Sequence, residues 1–273
     1  MPPMTEIADW SRAANPARRV GRMVEFHDRI GSTNDRARAA LREPGGDGLA
    51  VVADLQTAGR GRRGRTWTSP TGANLLFSVA FSPDLAPQRV GLLGVAAALA
   101  VRDACAFFAP DAGLAIRWPN DVVERNGRKV AGLLVETALE GEKLVEAVIG
   151  IGINVNWLSS DMPPEIAERA TSLLALGGEP IDRVELLRRV LDTLAVELDG
   201  LQSGEAPLER LRSNSWLDGR RIEIDTGTEM IAGRAAGIAD DGSLLLDADV
   251  GRLALSVGEV ARVHESSAAA LLE

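Results

Sequence analysis

Apolar residues recur in short runs as far as about residue 200, and these runs alternate between the periods of strands and of helices. Two runs, from Leu49 to Leu55 and from Asn74 to Phe81, predict strands. A longer run predicts a helix from Arg89 to Phe108, and leucines and valines between 186 and 198 repeat along one helix face. Further strands are predicted over 114–118, 130–136 and 144–155. The pattern predicts an α+β domain.

The pattern changes after Trp216. Four short β-like runs then follow one another, separated by glycines, at 221–225, 230–236, 243–247 and 252–257. Such closely spaced short strands predict a small separate β domain over 216–273, after a main domain over 23–215. Residues 1–22 combine three prolines with four arginines and little periodic apolar content, which predicts a flexible N-terminal tail.

Composition narrows the class of protein. The 273 residues are 45% hydrophobic and 25% charged, with a net charge of −9, which disfavours binding to polyanions along a broad surface. One cysteine and two histidines exclude an internal disulfide and a metal cluster built from His and Cys. We find no signal-peptide core in the first residues and expect a cytoplasmic protein without a membrane partner.

The most basic segment is residues 59–65, GRGRRGR, which places four guanidinium groups on seven residues. Arginine suits phosphate and carboxylate, and glycine lets backbone N–H groups approach an anion, so the segment predicts an anion-binding loop. Its glycines also fit the dinucleotide pattern G-x-G-x-x-G. That site needs a helix to start here, whereas the following residues, TWTSPTG, are typical of a loop. A nucleic-acid patch or a solvated surface loop stays open as an alternative.

Polar residues stand where other predicted strands begin or end. Gln56 ends one strand, Asn120 and Asp121 follow another, and Lys129 precedes a third. The segment 150–156, GIGINVN, alternates glycine with apolar residues, which is typical of a bulge or of close approach by a ligand. Each feature also has an ordinary interpretation, because Asn and Asp form turns and lysine is commonly solvated at a hairpin end.

Taken together and in this order, the motifs STN (32–34), Gln56, GRGRRGRTW, RWPNDV, KVAGLLVE and GIGINVN resemble the catalytic domain of biotin protein ligases. The resemblance runs from about Val24 to Leu201, and 216–263 resembles the family's C-terminal domain. It implies an α+β fold, with a mixed-sheet catalytic domain of the biotin/lipoate ligase type and a small C-terminal SH3-like β-barrel. It also implies ATP-dependent biotinylation of a lysine on a carboxylase carrier domain through biotinoyl-5′-AMP, with Mg²⁺ accompanying ATP.

The resemblance assigns residues to each ligand. Biotin is expected to meet Ser32, Thr33, Asn34, Gln56, Arg60, Gly61, Arg62, Lys129 and Gly132. ATP and the adenylate are expected to meet Arg60, Arg62, Arg65, Trp67, Trp118, Asn120 and Asn154. Lys129, Arg62 and Asp121 are expected to carry the chemistry, with Asp121 as a candidate ligand of Mg²⁺.

Two features depart from the family pattern. Arg117 stands where the family usually has lysine, which keeps the charge but changes the geometry. Some members also carry an N-terminal winged helix that binds operator DNA. Only about twenty residues precede the catalytic region here, so we expect no DNA partner.

Two alternatives come from the sequence. A lipoate protein ligase shares related adenylation chemistry, but its thiolane substrate does not need the polar pocket that a ureido ring requires. A nucleic-acid-binding protein would use the 59–65 loop as its basic patch. A biotin carboxylate is already ionised at neutral pH, so its activation needs charge neutralisation and alignment more than a general base.

Overall fold

The protein is described here by a computed structural model that covers residues 9–141 and 143–264. Its described part contains two sheets. The strands of the first are β1 (Val24–Ile30), β2 (Ala50–Gln56), β3 (Leu75–Phe81), β4 (Ala115–Arg117), β5 (Asp121–Val123), β6 (Lys129–Glu140) and β7 (Lys143–Ile153). The strands of the second are β8 (Arg221–Asp225), β9 (Met230–Ile238), β10 (Leu244–Ala248), β11 (Gly251–Leu255) and β12 (Glu259–His264).

The first sheet is mixed, with the strand order β1-β2-β3-β7-β6-β5-β4. β1 and β2 are parallel, and the other neighbouring pairs are antiparallel. β3 reads LLFSVAF and is buried at every position, because it lies in the sheet interior. The predicted α+β class with a mixed sheet is confirmed.

The helices are α1 (Thr33–Ala40), α2 (Gly91–Phe108), α3 (Pro164–Ala167), α4 (Leu173–Gly177), α5 (Arg183–Gln202) and α6 (Leu208–Ser213). α1 and α2 pack against the first sheet. One helix among the described residues, over Pro87–Phe108, is long and apolar enough to cross a membrane by length and composition alone. Its residues from Leu92 to Cys105 are largely buried in the main hydrophobic core, where α2 packs against α5.

The prediction of a flexible tail over residues 1–22 is wrong for residues 9–22, and residues 1–8 lie outside the described part. Trp10 is only 4% exposed and stacks on Phe26 of β1, with ring centroids 5.4 Å apart. The Arg183 guanidinium covers the Trp10 ring at 5.3 Å, and Arg18 pairs with Asp192 of α5 at 2.5 Å. One buried indole therefore anchors a segment whose prolines and arginines predicted mobility.

Trp10→Ala should lower the free energy of unfolding by about 3–5 kcal/mol, because it removes a buried aromatic side chain and leaves a cavity. Urea denaturation followed by circular dichroism measures this change. Arg12→Ala is the matched control, since Arg12 lies in the same helical turn but is exposed. A Trp10 variant as stable as this control would mean that the segment contributes no packing energy.

The second sheet is antiparallel, with the order β11-β10-β9-β8-β12. The predicted boundary at 215/216 falls between α6 and β8. The second sheet contacts the main domain, because the Trp118 indole N–H donates to the Gly242 carbonyl at 3.2 Å. The Arg63 guanidinium also pairs with Asp225 at 2.7 Å. The C-terminal sheet therefore lies against the segments predicted to bind ligand.

Candidate active site

All the site residues predicted from the sequence line a single cavity of about 560 Å³. The cavity lies where the ends of β2, β6 and β7 meet the beginning of α1, and the 59–65 loop and β12 form part of its wall. A small organic molecule with an attached nucleotide is of the size that such cavities hold. The structure thus brings together segments that lie far apart in the sequence.

A chain of hydrogen bonds connects the polar residues at the start of α1. The Thr33 backbone N–H donates to Oε1 of Gln56 at 2.8 Å, and the Thr33 hydroxyl lies 2.6 Å from that of Ser78. Ser78 donates to Oδ1 of Asn34 at 2.5 Å, so its only proton is used there. The Thr33 hydroxyl also donates to Oε1 of Gln56 at 3.0 Å, and its oxygen keeps a lone pair for a ligand N–H.

Asn34 is buried, and the rest of this network fixes its orientation. Its amide donates to Glu136 at 2.7 Å, and Glu136 pairs with Arg38 at 3.2 Å. A Cβ at Gly150 would lie 2.2 Å from Oδ1 of Asn34, so glycine is required for this approach. Ser32 is the N-cap residue of α1 but makes no side-chain cap hydrogen bond, so its hydroxyl is not used by the helix.

Lys129, Asp121 and Arg117 form an ion-paired group on the other wall. β4 and β5 make a tight hairpin that pairs Arg117 with Asp121, and Lys129 is the first residue of the adjacent β6. Nζ of Lys129 lies 2.6 Å from Oδ1 of Asp121, and Arg117 donates to Oδ2 at 2.8 Å. Burial alone would raise the pKa of Asp121, but Lys129 and Arg117 outweigh it and hold the pKa below its usual value.

These contacts do not support the prediction that Asp121 is a magnesium ligand. Each of its oxygens already pairs with a cation, whereas Mg²⁺ needs carboxylate oxygens free to coordinate. The described residues also contain no group of three or more His, Cys, Asp or Glu side chains that could hold a metal ion. Asp121 is placed to orient and neutralise Lys129.

The 59–65 loop closes on itself through a backbone hydrogen bond. Gly61 donates to the Arg65 carbonyl at 2.7 Å, and Arg63 adopts a left-handed conformation with φ 54°. Only a three-residue 3-10 turn, Arg62–Gly64, follows the first glycines, so the dinucleotide interpretation is wrong.

The four arginines of the loop have different partners. Arg60 forms a bidentate pair with Asp35 of α1 at 2.6 and 2.8 Å, while Arg63 and Arg65 pair with Asp225 and Glu259 of the C-terminal sheet. Arg62 instead points inward and donates to Asn120 at 3.4 Å. Burial lowers the pKa of Arg62, partly offset by Asp121, but a guanidinium stays charged. Arg62 is therefore the loop arginine that presents its charge to the interior.

Trp67 lies across two glycines of the cavity floor. Built Cβ atoms at Gly132 and Gly152 would lie 2.9 and 2.5 Å from its ring, which requires glycine at both positions. Nζ of Lys129 is 5.2 Å from the ring centroid. The indole N–H is buried and has no hydrogen-bond partner among the described residues, so a ligand acceptor would satisfy it.

The other residues predicted to bind the adenylate already have hydrogen-bond partners within the protein. Trp118 is 6% exposed, and its indole N–H is used by Gly242, which favours packing between the domains over stacking on a base. Asn120 donates to the Leu133 carbonyl. Asn154 accepts from Asn74 and donates to the Lys129 carbonyl, both at 3.4 Å. These side chains hold the strand ends in register around the cavity.

Comparison with known proteins agrees with this geometry. A family model described as the biotin/lipoate A/B protein ligase family matches residues 26–154, and one described as the biotin protein ligase C terminal domain matches 219–263. The biotin--[acetyl-CoA-carboxylase] ligase of Mycobacterium tuberculosis is 35% identical over 249 residues, which cover 89% of this chain and 90% of that protein. The chain belongs to the biotin protein ligase family.

A second relative and a solved structure extend the likeness. The bifunctional ligase/repressor BirA of Bacillus spizizenii is 36% identical over 237 residues, covering 85% of this chain and 71% of the relative. The biotin protein ligase from Aquifex aeolicus, solved in complex with biotin and ATP, superimposes with a TM-score of 0.74. It is 30% identical and covers 89% of this chain and 99% of its own. The activity is that of an ATP-dependent biotin–protein ligase. These comparisons do not support the lipoate ligase alternative better than the biotin ligase assignment.

Ser78→Ala should weaken biotin binding about 5- to 150-fold, because it leaves Asn34 and Thr33 without their shared partner at a cost of about 1–3 kcal/mol. Calorimetric titration with biotin measures the change. Ser203→Ala, at the exposed end of α5, is the matched control. A folded Ser78 variant with unchanged affinity would show that this chain of hydrogen bonds does not shape the pocket.

Proposed function

We propose that the cavity forms biotinoyl-5′-AMP from biotin and ATP and then transfers the biotinoyl group to a lysine of a biotin carboxyl carrier domain. The observation that carries the proposal is the arrangement of two cationic side chains, Lys129 and Arg62, opposite a polar cluster. The cluster has donors and acceptors for a ureido ring. The cations have charge for a carboxylate and a phosphate.

Biotin would lie with its ureido ring at the start of α1. The Thr33 oxygen accepts from a ureido N–H, and the Gln56 amide N–H and Ser32 hydroxyl meet the remaining polar atoms. Leu133 and Ile151, which line the same cavity, contact the apolar valeryl chain. This orientation directs the carboxylate toward Lys129 and Arg62.

The first step needs alignment and charge, because the carboxylate is already ionised. Its oxygen attacks the α-phosphorus of ATP, an O–P bond forms, and pyrophosphate leaves with the electrons of the broken bond. Lys129 and Arg62 neutralise the carboxylate and the phosphate oxygens where negative charge accumulates. In the second step the carrier amine attacks the carbonyl carbon, AMP leaves, and an amide forms.

Magnesium is proposed to enter as the counter-ion of the ATP phosphates. The side chains of the cavity offer it few ligands, since Asp121 is occupied by two cations. Mg²⁺ commonly binds through substrate phosphates and water with few protein carboxylates. No step of the proposed mechanism depends on a magnesium ligand from the protein.

The carrier domain is the proposed macromolecular partner, and we propose a cytoplasmic location, where ATP is available. The name of the Mycobacterium tuberculosis relative supports a carrier domain of acetyl-CoA carboxylase as acceptor. No role for DNA enters this proposal.

Incubation of the protein with ATP, Mg²⁺ and biotin, followed by mass spectrometry, tests the first step. Biotinoyl-AMP and pyrophosphate are expected, and addition of an isolated carrier domain should consume the adenylate. Lipoate is the matched control substrate and should give no adenylate at the same concentration. Equal activation of lipoate, or no adenylate from biotin, would contradict the proposal.

A further inference from the structure

Lysine is scarce in this chain. The sequence contains 28 arginines but only two lysines, Lys129 and Lys143. A guanidinium stays protonated, so the two ε-amines and the terminal amine are the amines of the chain that an activated carboxyl group can acylate. An enzyme that makes a mixed anhydride is exposed to this side reaction at every turnover.

Of the two lysines, Lys129 is the one whose position exposes its amine to acylation within the site. If the proposed function is correct, its Nζ lies beside the activated carbonyl of biotinoyl-AMP. A neutral amine there would attack that carbonyl: an N–C bond forms, the C–O bond to AMP breaks, AMP leaves with its electron pair, and the ammonium proton passes to water. The resulting amide would remove the positive charge on which activation depends, and the enzyme would inactivate itself.

The surrounding charges decide whether Lys129 can react. Nζ lies 2.6 Å from Oδ1 of Asp121 and donates to this carboxylate, and an ammonium held in such a pair has no lone pair with which to attack. Arg117 and Arg62 are the other charged groups near this carboxylate. Without Asp121, three like charges would face one another, and cationic neighbours are a known way to turn a lysine into a nucleophile.

We propose that Asp121 protects Lys129 from acylation by the intermediate that Lys129 helps to form, so that self-biotinylation falls on Lys143. Lys143 is exposed and begins β7 at the far end of the β6–β7 hairpin. The residues of β7 that line the cavity are Gly150–Gly152, and the seven residues of strand from Lys143 to Gly150 span about 23 Å. Lys143 therefore meets only intermediate that has left the site.

The first test uses Lys143→Arg as the parent, because Lys129 is then the only lysine of the chain. Purified biotinoyl-5′-AMP is added at saturation to this parent and to its Asp121→Asn derivative, and peptide mass spectrometry counts the biotinoyl groups on Lys129. We expect labelling at least about tenfold faster in the derivative, which loses the charge-assisted hydrogen bond between Nζ and the Asp121 carboxylate. Asp121→Glu, which keeps the carboxylate, should protect as the parent does. Equal labelling of all three proteins overturns the proposal.

The second test needs no substitution at Asp121. Purified biotinoyl-5′-AMP is added to the unaltered protein, and the labels on Lys143 and Lys129 are compared. Lys143 should carry most of the label, although the adenylate binds beside Lys129; the reverse ratio overturns the proposal. Calorimetric titration with the purified adenylate distinguishes a failure of the proposed function from a failure of the protective role of Asp121. Failure to bind the purified adenylate defeats the proposed function as well, whereas tight binding with Lys129 freely labelled defeats the protective role alone.

Discussion

Replacing Lys129 with alanine should slow formation of biotinoyl-AMP about 100- to 1,000-fold, the loss expected when one positioned donor is removed from developing negative charge. The structure adds a second reason for a large effect. Asp121, which pairs with Lys129 at 2.6 Å, would then present a less compensated negative charge to the incoming carboxylate. Single-turnover measurement of pyrophosphate release at saturating ATP and biotin tests the prediction.

Lys143→Ala is the matched control, because it removes the only other lysine from an exposed position outside the cavity. This control should retain the full rate. The melting temperature of Lys129→Ala should fall only slightly, since Arg117 still pairs with Asp121 and the Lys129 side chain is itself partly exposed. An unaltered rate of adenylation would remove Lys129 from the catalytic group and leave it as a solvated strand end.

Much of the fold follows from apolar periodicity. The predicted strand over 221–225 coincides with β8, and the predicted long helix differs from α2 by two residues at its start. The strands β1, β5 and β12 were not predicted. β1 reads VEFHDRI and lies at a sheet edge, where charged side chains remain partly solvated and interrupt the apolar alternation.

The motifs predicted residues that the structure brings together around one cavity, but the sequence did not predict their partners. Motifs indicate which segments meet a ligand, whereas the pairing of Asp121 with Lys129 depends on the register of β5 against β6. Ser78 was missed because it is the single hydroxyl in the apolar run of β3 and resembles a core position. Its role depends on contact with Asn34, which is 44 residues away in the sequence.

The orientation of the four arginines in the 59–65 loop also could not be predicted from the sequence. Composition predicted that the loop binds anions, but four equivalent arginines give no indication of which one faces the ligand. The structure distributes them: Arg60 pairs with α1, and Arg63 and Arg65 pair with the C-terminal sheet. Ion pairs of partly exposed side chains contribute little stability individually, so the loop is attached at several points without being rigidly held. We therefore expect the loop to open and close over a bound ligand.

Arg62→Gly should allow the enzyme to form biotinoyl-AMP but to release it prematurely. Lys129 and the strand ends remain to align the reactants, whereas the loop loses the guanidinium that points into the cavity. A charge-assisted contact contributes about 1.5–3 kcal/mol, so the affinity for the intermediate should fall about 10- to 150-fold. Biotinylation of a bystander protein that lacks a carrier domain measures the release.

Two further variants separate the loss of charge from the gain of flexibility. Arg62→Ala removes the guanidinium without adding backbone freedom, and it should release nearly as much adenylate as Arg62→Gly if the charge is what retains the intermediate. Arg62→Lys keeps a cation but loses the fork that reaches Asn120, and it should retain an intermediate amount. A glycine variant that forms no adenylate would place Arg62 in the activation step instead. One that holds the adenylate as tightly as the parent would show that retention depends on the other attachments of the loop.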